Sequence, residues 1–143
     1  MTELVVIVDK PRPDFRVFID LVYGPGRDVD TDGDANEVWS RNWRELYIRD
    51  RENDVSGVEI YAAPEPSPKF GVTSDDAELR ELAALYLYMF CGALIERDGQ
   101  DLSTDEISHL KLKHAGALAR AANSVWHQSG IDNPFPNLQA GQF

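Results

Sequence analysis

The chain has 143 residues, 43% of them hydrophobic, a size that suits one domain burying about two thirds of its unfolded surface. Twenty-five Asp and Glu stand against fourteen Lys and Arg, giving a formal net charge of −11, an excess that would repel nucleic-acid phosphates and anionic membranes. The longest uncharged run, Leu82 to Ile95, has fourteen residues, short of the roughly 20 that cross a bilayer. The first ten residues lack the charge and length of a signal peptide, so a cytoplasmic protein is expected.

In chain order, residues 3–8 read as a short first strand. From Phe15 to Tyr23 the odd positions Phe15, Val17, Ile19, Leu21 and Tyr23 are apolar, the period-2 pattern of a strand with one face on the core. Residues 36–42 fit either a helical turn or extended chain. Residues 43–50 and 58–62 alternate as strands, and the polar stretch 52–57 between them predicts a hairpin. Residues 63–73 carry Pro64, Pro66 and Pro68 and read as an extended connector, because proline cannot donate to a ladder.

The second half reads as helical. Ser74, Asp75 and Asp76 offer acceptors to free amides at a helix start, Leu79, Leu82, Tyr86, Met89 and Ala93 recur at helical spacing, and Gly99 follows as a left-handed cap. That predicts a helix over 74–98. Ser103 and Glu106 form a capping box, with Leu102 and Ile107 as a hydrophobic staple, so a second helix over 103–129 should start within one residue of Thr104. Its core face is Ile107, Leu110, Leu118, Ala121 and Val125, and His109, Lys113, Gly116, Arg120, Asn123 and His127 form a polar stripe. The tail, 130–143, has no period. The expected fold is α+β, a three- or four-stranded antiparallel sheet from the N-terminal half packed on a C-terminal antiparallel helical hairpin, in one domain.

No phosphate-cradling glycine loop, HExxH, GxSxG or paired CxxC occurs, so no local motif anchors catalysis. Cys91 is single and lies in an apolar helical run, the setting of a small buried hydrophobe rather than a reactive thiolate. His109 and His114 stand about 140° apart around a helix and cannot converge on one ion. His114 falls on the apolar face, where a hydrogen-bonded structural role is expected.

One loop resembles a known ligand site: Asp28, Asp30, Asp32, Gly33, Asp34 and Asn36 repeat the alternate oxygen ligands that open a calcium-binding EF-hand loop. Trp39 stands where the closing bidentate Glu would be. The same acids, with Glu37 and the neighbouring Trp39, also make an anionic patch beside aromatic anchors, as recognition of a basic protein requires. Trp43 and Tyr61 are read as core. The expected function is therefore non-enzymatic: an acidic protein-binding module, in concrete form a bacterial immunity-type inhibitor of a basic toxin such as a nuclease. Its partner contacts would be Asp28, Asp30, Asp32, Asp34, Glu37 and Trp39, and no cofactor is needed. Two alternatives remain open: a calcium or other divalent-cation module using Asp28, Asp30, Asp32, Asp34 and Asn36, and a small carboxylate-metal hydrolase.

Overall fold

The computed structural model describes residues 3–52 and 55–138. The protein is α+β, and its described residues form seven antiparallel strands and four α-helices. The strands are β1 (Leu4–Val8), β2 (Val29–Gly33), β3 (Glu45–Asp50), β4 (Val58–Ala62), β5 (Lys69–Thr73), β6 (Gly92–Arg97) and β7 (Gln100–Asp101). They form one sheet in the order β2-β3-β4-β5-β1-β6-β7. The helices are α1 (Arg16–Val22), α2 (Ala77–Cys91), α3 (Thr104–Lys113) and α4 (Ala115–Ala122), followed by a 3-10 turn over Val125–Gln128. Among the described residues no helix is long and apolar enough to cross a membrane.

Alternation along the strands divides the sheet into two faces. Leu4, Val6, Leu46, Ile48, Val58, Ile60, Phe70, Val72 and Ile95 are buried and share one core cluster with Val17, Phe18, Leu21 and the α2 residues Leu82 to Leu87. α2 lies along β1, β6, β5 and β4, and α1 packs between α2 and α4. Residues one step out of phase, among them Glu45, Tyr47, Arg49, Glu59 and Lys69, are exposed on the other face.

Among the described residues the sheet has seven strands where three or four were expected: the strand expected over 15–23 is absent, and β2, β5, β6 and β7 are added. The segment Phe15–Tyr23 is α1 instead of a strand. Its odd positions also form i, i+4 ladders, 15-19-23 and 17-21, and Phe18, the large apolar residue on an even position, is fully buried against Trp43 and Tyr86 with edge-on rings. The helix buries Val17, Leu21 and Phe18 and packs the partly buried Phe15, Ile19 and Tyr23 against the core, and a strand would have put Phe18 in water. The supposed loop over residues 28–36 is largely β2, paired with β3 through Asp30↔Arg49 and Asp32↔Tyr47. Residues 36–42 form a turn, closed by the Ser40 N–H on the Glu37 carbonyl at 2.9 Å.

The connector is shorter than 63–73. Prolines occupy 64–68, and Lys69–Thr73 then enters the sheet as β5 between β4 and β1. The helix expected over 74–98 begins on the Asp76 side chain, which accepts the Glu78 and Leu79 N–H groups, and ends at Cys91. Gly92 is extended, and any Cβ there would lie 2.7 Å from Val6 and 2.8 Å from Tyr88 Cα, so glycine lets the chain turn straight from α2 into β6 beside β1. Asp98 and Gly99, with φ of 53° and 78°, close a two-residue hairpin between β6 and β7 in place of a helix cap.

The expected 103–129 helix starts as read. Ser103 and Glu106 make both halves of the capping box ahead of Thr104. It then breaks at His114, whose backbone leaves the helical region, and again at Asn123. Ser124 accepts the Trp126 N–H and donates to the buried Asp20 carboxylate at 2.7 Å. Of the expected core face Leu110, Leu118 and Ala121 are buried. The tail is anchored where it is described: Arg16, held on the fully buried Asp14 by two bonds of 3.0 and 2.6 Å, lies 4.0 Å from the Trp126 ring and 5.5 Å from the Phe135 ring.

Candidate protein-binding site

The acids singled out in the sequence do not act as one group. Asp28 and Asp30 both face Arg51, at 4.0 and 3.4 Å. Asp34 is a structural acceptor, its Oδ1 taking the N–H groups of Arg44 and Glu45 at 2.7 and 2.9 Å and fixing the entry to β3. Glu37 and Asn36 are exposed in the turn after β2, and Trp39 is half-buried. Among the described residues, the exposed Asp32 accepts a hydrogen bond from the Gly33 N–H, at 2.8 Å. It keeps its charge toward solvent.

Extended backbone also answers the calcium geometry. Along β2 the carboxylates repeat every second residue on one face and so march along a line, whereas a calcium loop must curl its oxygens round one centre. Among the described residues, the group of three acidic or imidazole side chains that does converge is Glu78 and Glu81 on α2 and His114 at the junction of α3 and α4. There a cation is already supplied: the Lys113 Nζ lies 2.9 Å from Glu78 and 3.0 Å from Glu81, and the His114 Nε2 is 2.8 Å from Glu81. Burial alone would raise the Glu81 pKa, but its bonds to His114 and Lys113 and their charges outweigh it and hold the carboxyl below its ordinary value.

Other members of the polar stripe, Arg120 and His127, are also held by groups on the helices. Arg120 donates to the Asp20 and Leu21 carbonyls at 2.6 and 2.7 Å. His127 meets the Tyr86 hydroxyl at 3.1 Å and stacks on Phe90. Cys91 is buried, bonds the Leu87 carbonyl, and has its pKa pushed up to about 11 by burial; it is an inert hydrophobe. Trp43 is core, its Nε1–H on the Pro13 carbonyl at 2.8 Å. Tyr61 is not, since it stands on the outward side of β4.

What the sheet assembles is an acid–aromatic lattice on its outward face. The register sets Asp32, Tyr47, Glu59 and Thr73 side by side across β2 to β5, and in the next row Glu45, Tyr61 and Gly71 across β3 to β5. Each tyrosine therefore has a carboxylate directly across from it. Glycines make room for both rings: a Cβ on Gly71 would fall 2.7 Å from Tyr61 Cζ, and one on Gly57 would fall 2.9 Å from the Tyr47 hydroxyl. Between the rows lies a depression of about 290 Å³ lined by Asp32, Glu45, Tyr47, Glu59 and Tyr61.

Arg49 stands on the same face but at the Asp30 end. Arg51 faces Asp28 and Asp30 rather than Asp32, Glu45 or Glu59, and these last three carboxylates flank the two tyrosines. Glu45 and Glu59 escaped the sequence reading because they are separated from the Asp-rich stretch by the chain. Their signal was present in the alternation of 45-47-49 against 46-48-50, and of 59-61 against 58-60, which puts them opposite the core. No family model, curated protein or solved structure matches this chain.

Proposed function

We propose that this protein is a non-enzymatic binding module that recognises a basic protein partner through the outward face of β2, β3 and β4. The observation that carries the reading is the lattice itself: three carboxylates, Asp32, Glu45 and Glu59, interleaved with Tyr47 and Tyr61 on a rigid antiparallel sheet. Tyrosine offers a large contact area at little entropic cost. Carboxylates around it speed encounter with a cationic surface and select against acidic ones. The concrete form we propose is an immunity-type inhibitor, which covers the cationic cleft of a toxin such as a nuclease with this face. Size and an overall charge of −11 are in keeping with that role.

The test is capture from a lysate of the cell that makes the protein, with wild type and a Glu45→Lys/Glu59→Lys variant as paired baits. Wild type should enrich a protein of high isoelectric point, released by added salt as interfacial charges are screened. The variant should retain it at least about tenfold less well, a loss of ~1.4 kcal/mol. Purified, that partner should lose its activity when wild type is added in excess. Identical captured proteins on both baits would overturn the reading.

A further inference from the structure

β2 ends the sheet on its side, and every residue in it but Val29 is exposed. The Asp28 carbonyl accepts the Arg51 N–H at 2.9 Å, and the Asp34 N–H donates to the Glu45 carbonyl at 3.3 Å. Even-numbered residues therefore turn their backbone groups toward β3, and by the antiparallel alternation Val29, Thr31 and Gly33 turn theirs to the open edge. The Gly33 N–H is taken by the Asp32 carboxylate. The amides and carbonyls of Val29 and Thr31 meet no backbone partner there among the described residues.

Two unlike surfaces flank that edge. Outward stand Asp30 and Asp32, of which Arg51 approaches Asp30 alone. Beside the edge lies a cavity of about 280 Å³ whose apolar walls are Phe15, Ala35, Val38 and Leu46, with Thr31, Asp32, Gly33 and Glu45 at its rim. A strand laid along β2 would send successive side chains alternately to the two sides. We infer that an extended segment of the basic partner adds to β2 as a further strand, with Lys or Arg side chains over Asp30 and Asp32 and the intervening apolar side chains in the cavity. This rests on the basic-partner reading above and specifies how the partner is held. A second copy of this chain is the wrong occupant, because paired β2 strands would set Asp30 and Asp32 against their like.

The probe is a short synthetic peptide alternating lysine with leucine, compared by fluorescence anisotropy with an isomer carrying the same residues in two blocks. The alternating peptide should bind at least about tenfold more tightly, and Thr31→Pro should remove that advantage by deleting an outward N–H and crowding the edge. An edge strand accepts proline where its N–H faces solvent, so the melting curve should be nearly unchanged. Should the variant fail to fold, wild type carries the test, since the peptide should slow hydrogen exchange at the Thr31 amide. Equal binding of both peptides, lost in Glu45→Lys/Glu59→Lys with the Thr31 amide unprotected, overturns the added strand and leaves the basic-partner reading standing. Binding of neither peptide overturns both. A dimer that forms with concentration and is broken by Thr31→Pro gives the edge to self-pairing and overturns the inference.

Discussion

Two glycines, Gly33 at the end of β2 and Gly71 in the lattice, differ in what a methyl group would strike, and that difference separates stability from binding. At Gly33 the added Cβ would come 2.3 Å from the Glu45 carbonyl oxygen, a backbone atom fixed in the β2–β3 ladder. Gly33→Ala should therefore cost about 1–3 kcal/mol, in the range of overpacked sites, seen as a lower urea midpoint. At Gly71 the obstacles are Tyr61 Cζ and Glu3 Oε2, each 2.7 Å away and each the far end of a side chain. Those ends can swing aside. Gly71→Ala should leave the unfolding free energy from urea titration within about 1 kcal/mol of wild type, while displacing the Tyr61 ring and weakening partner binding measurably. Equal effects on both properties at both positions would show that the lattice is only structural.

Among the elements, the α2–α3 contact is held by charge as well as by burial. Glu81 joins Lys113 and His114 across it, and its carboxyl sits below its ordinary pKa of 4.5. A carboxylate depressed in the folded state stabilises above its unfolded pKa, and that stabilisation is lost as pH falls through the folded value. Wild type should thus exceed Glu81→Gln in melting temperature at neutral pH, and the margin should close as pH is lowered below about 4.5. A margin independent of pH would mean that packing alone joins these helices. The same elements show what the chain's pattern disclosed. Capping at Ser103 and Glu106 was legible because both halves of that bond network lie within four residues. β3 and β4 were legible because one of their faces is core and the other water.

α1 was misread because a stripe at i, i+4 and an alternation at i, i+2 share the same odd positions, and only Phe18 distinguishes them. The helix over 74–98 was overrun because β6 is paired on both sides, by β1 and β7. Its residues Ala93 and Leu94 carry no helix-breaking signal, and the partners that claim them are about 90 positions away in sequence for β1. The candidate site was half legible for a related reason. Asp32 and the tyrosines stood out locally, whereas Glu45 and Glu59 join them only through strand register, which no short window of sequence contains.

At the scale of the whole molecule, helices cover one face of the sheet and leave the other with its charge. The net of −11 is not spread evenly over that second face. Arg51 faces Asp28 and Asp30, and Asp32, Glu45 and Glu59 stand round Tyr47 and Tyr61. Charge without the aromatic anchors would give a repelling, soluble surface, and anchors without charge would give no preference among partners. The most direct measurement is the set of backbone amide shifts on titrating isotope-labelled protein with the captured basic partner. The account predicts changes concentrated at Asp32, Glu45, Tyr47, Glu59 and Tyr61. Changes confined to α3 and α4, or the same pattern in Glu45→Lys/Glu59→Lys, would contradict it.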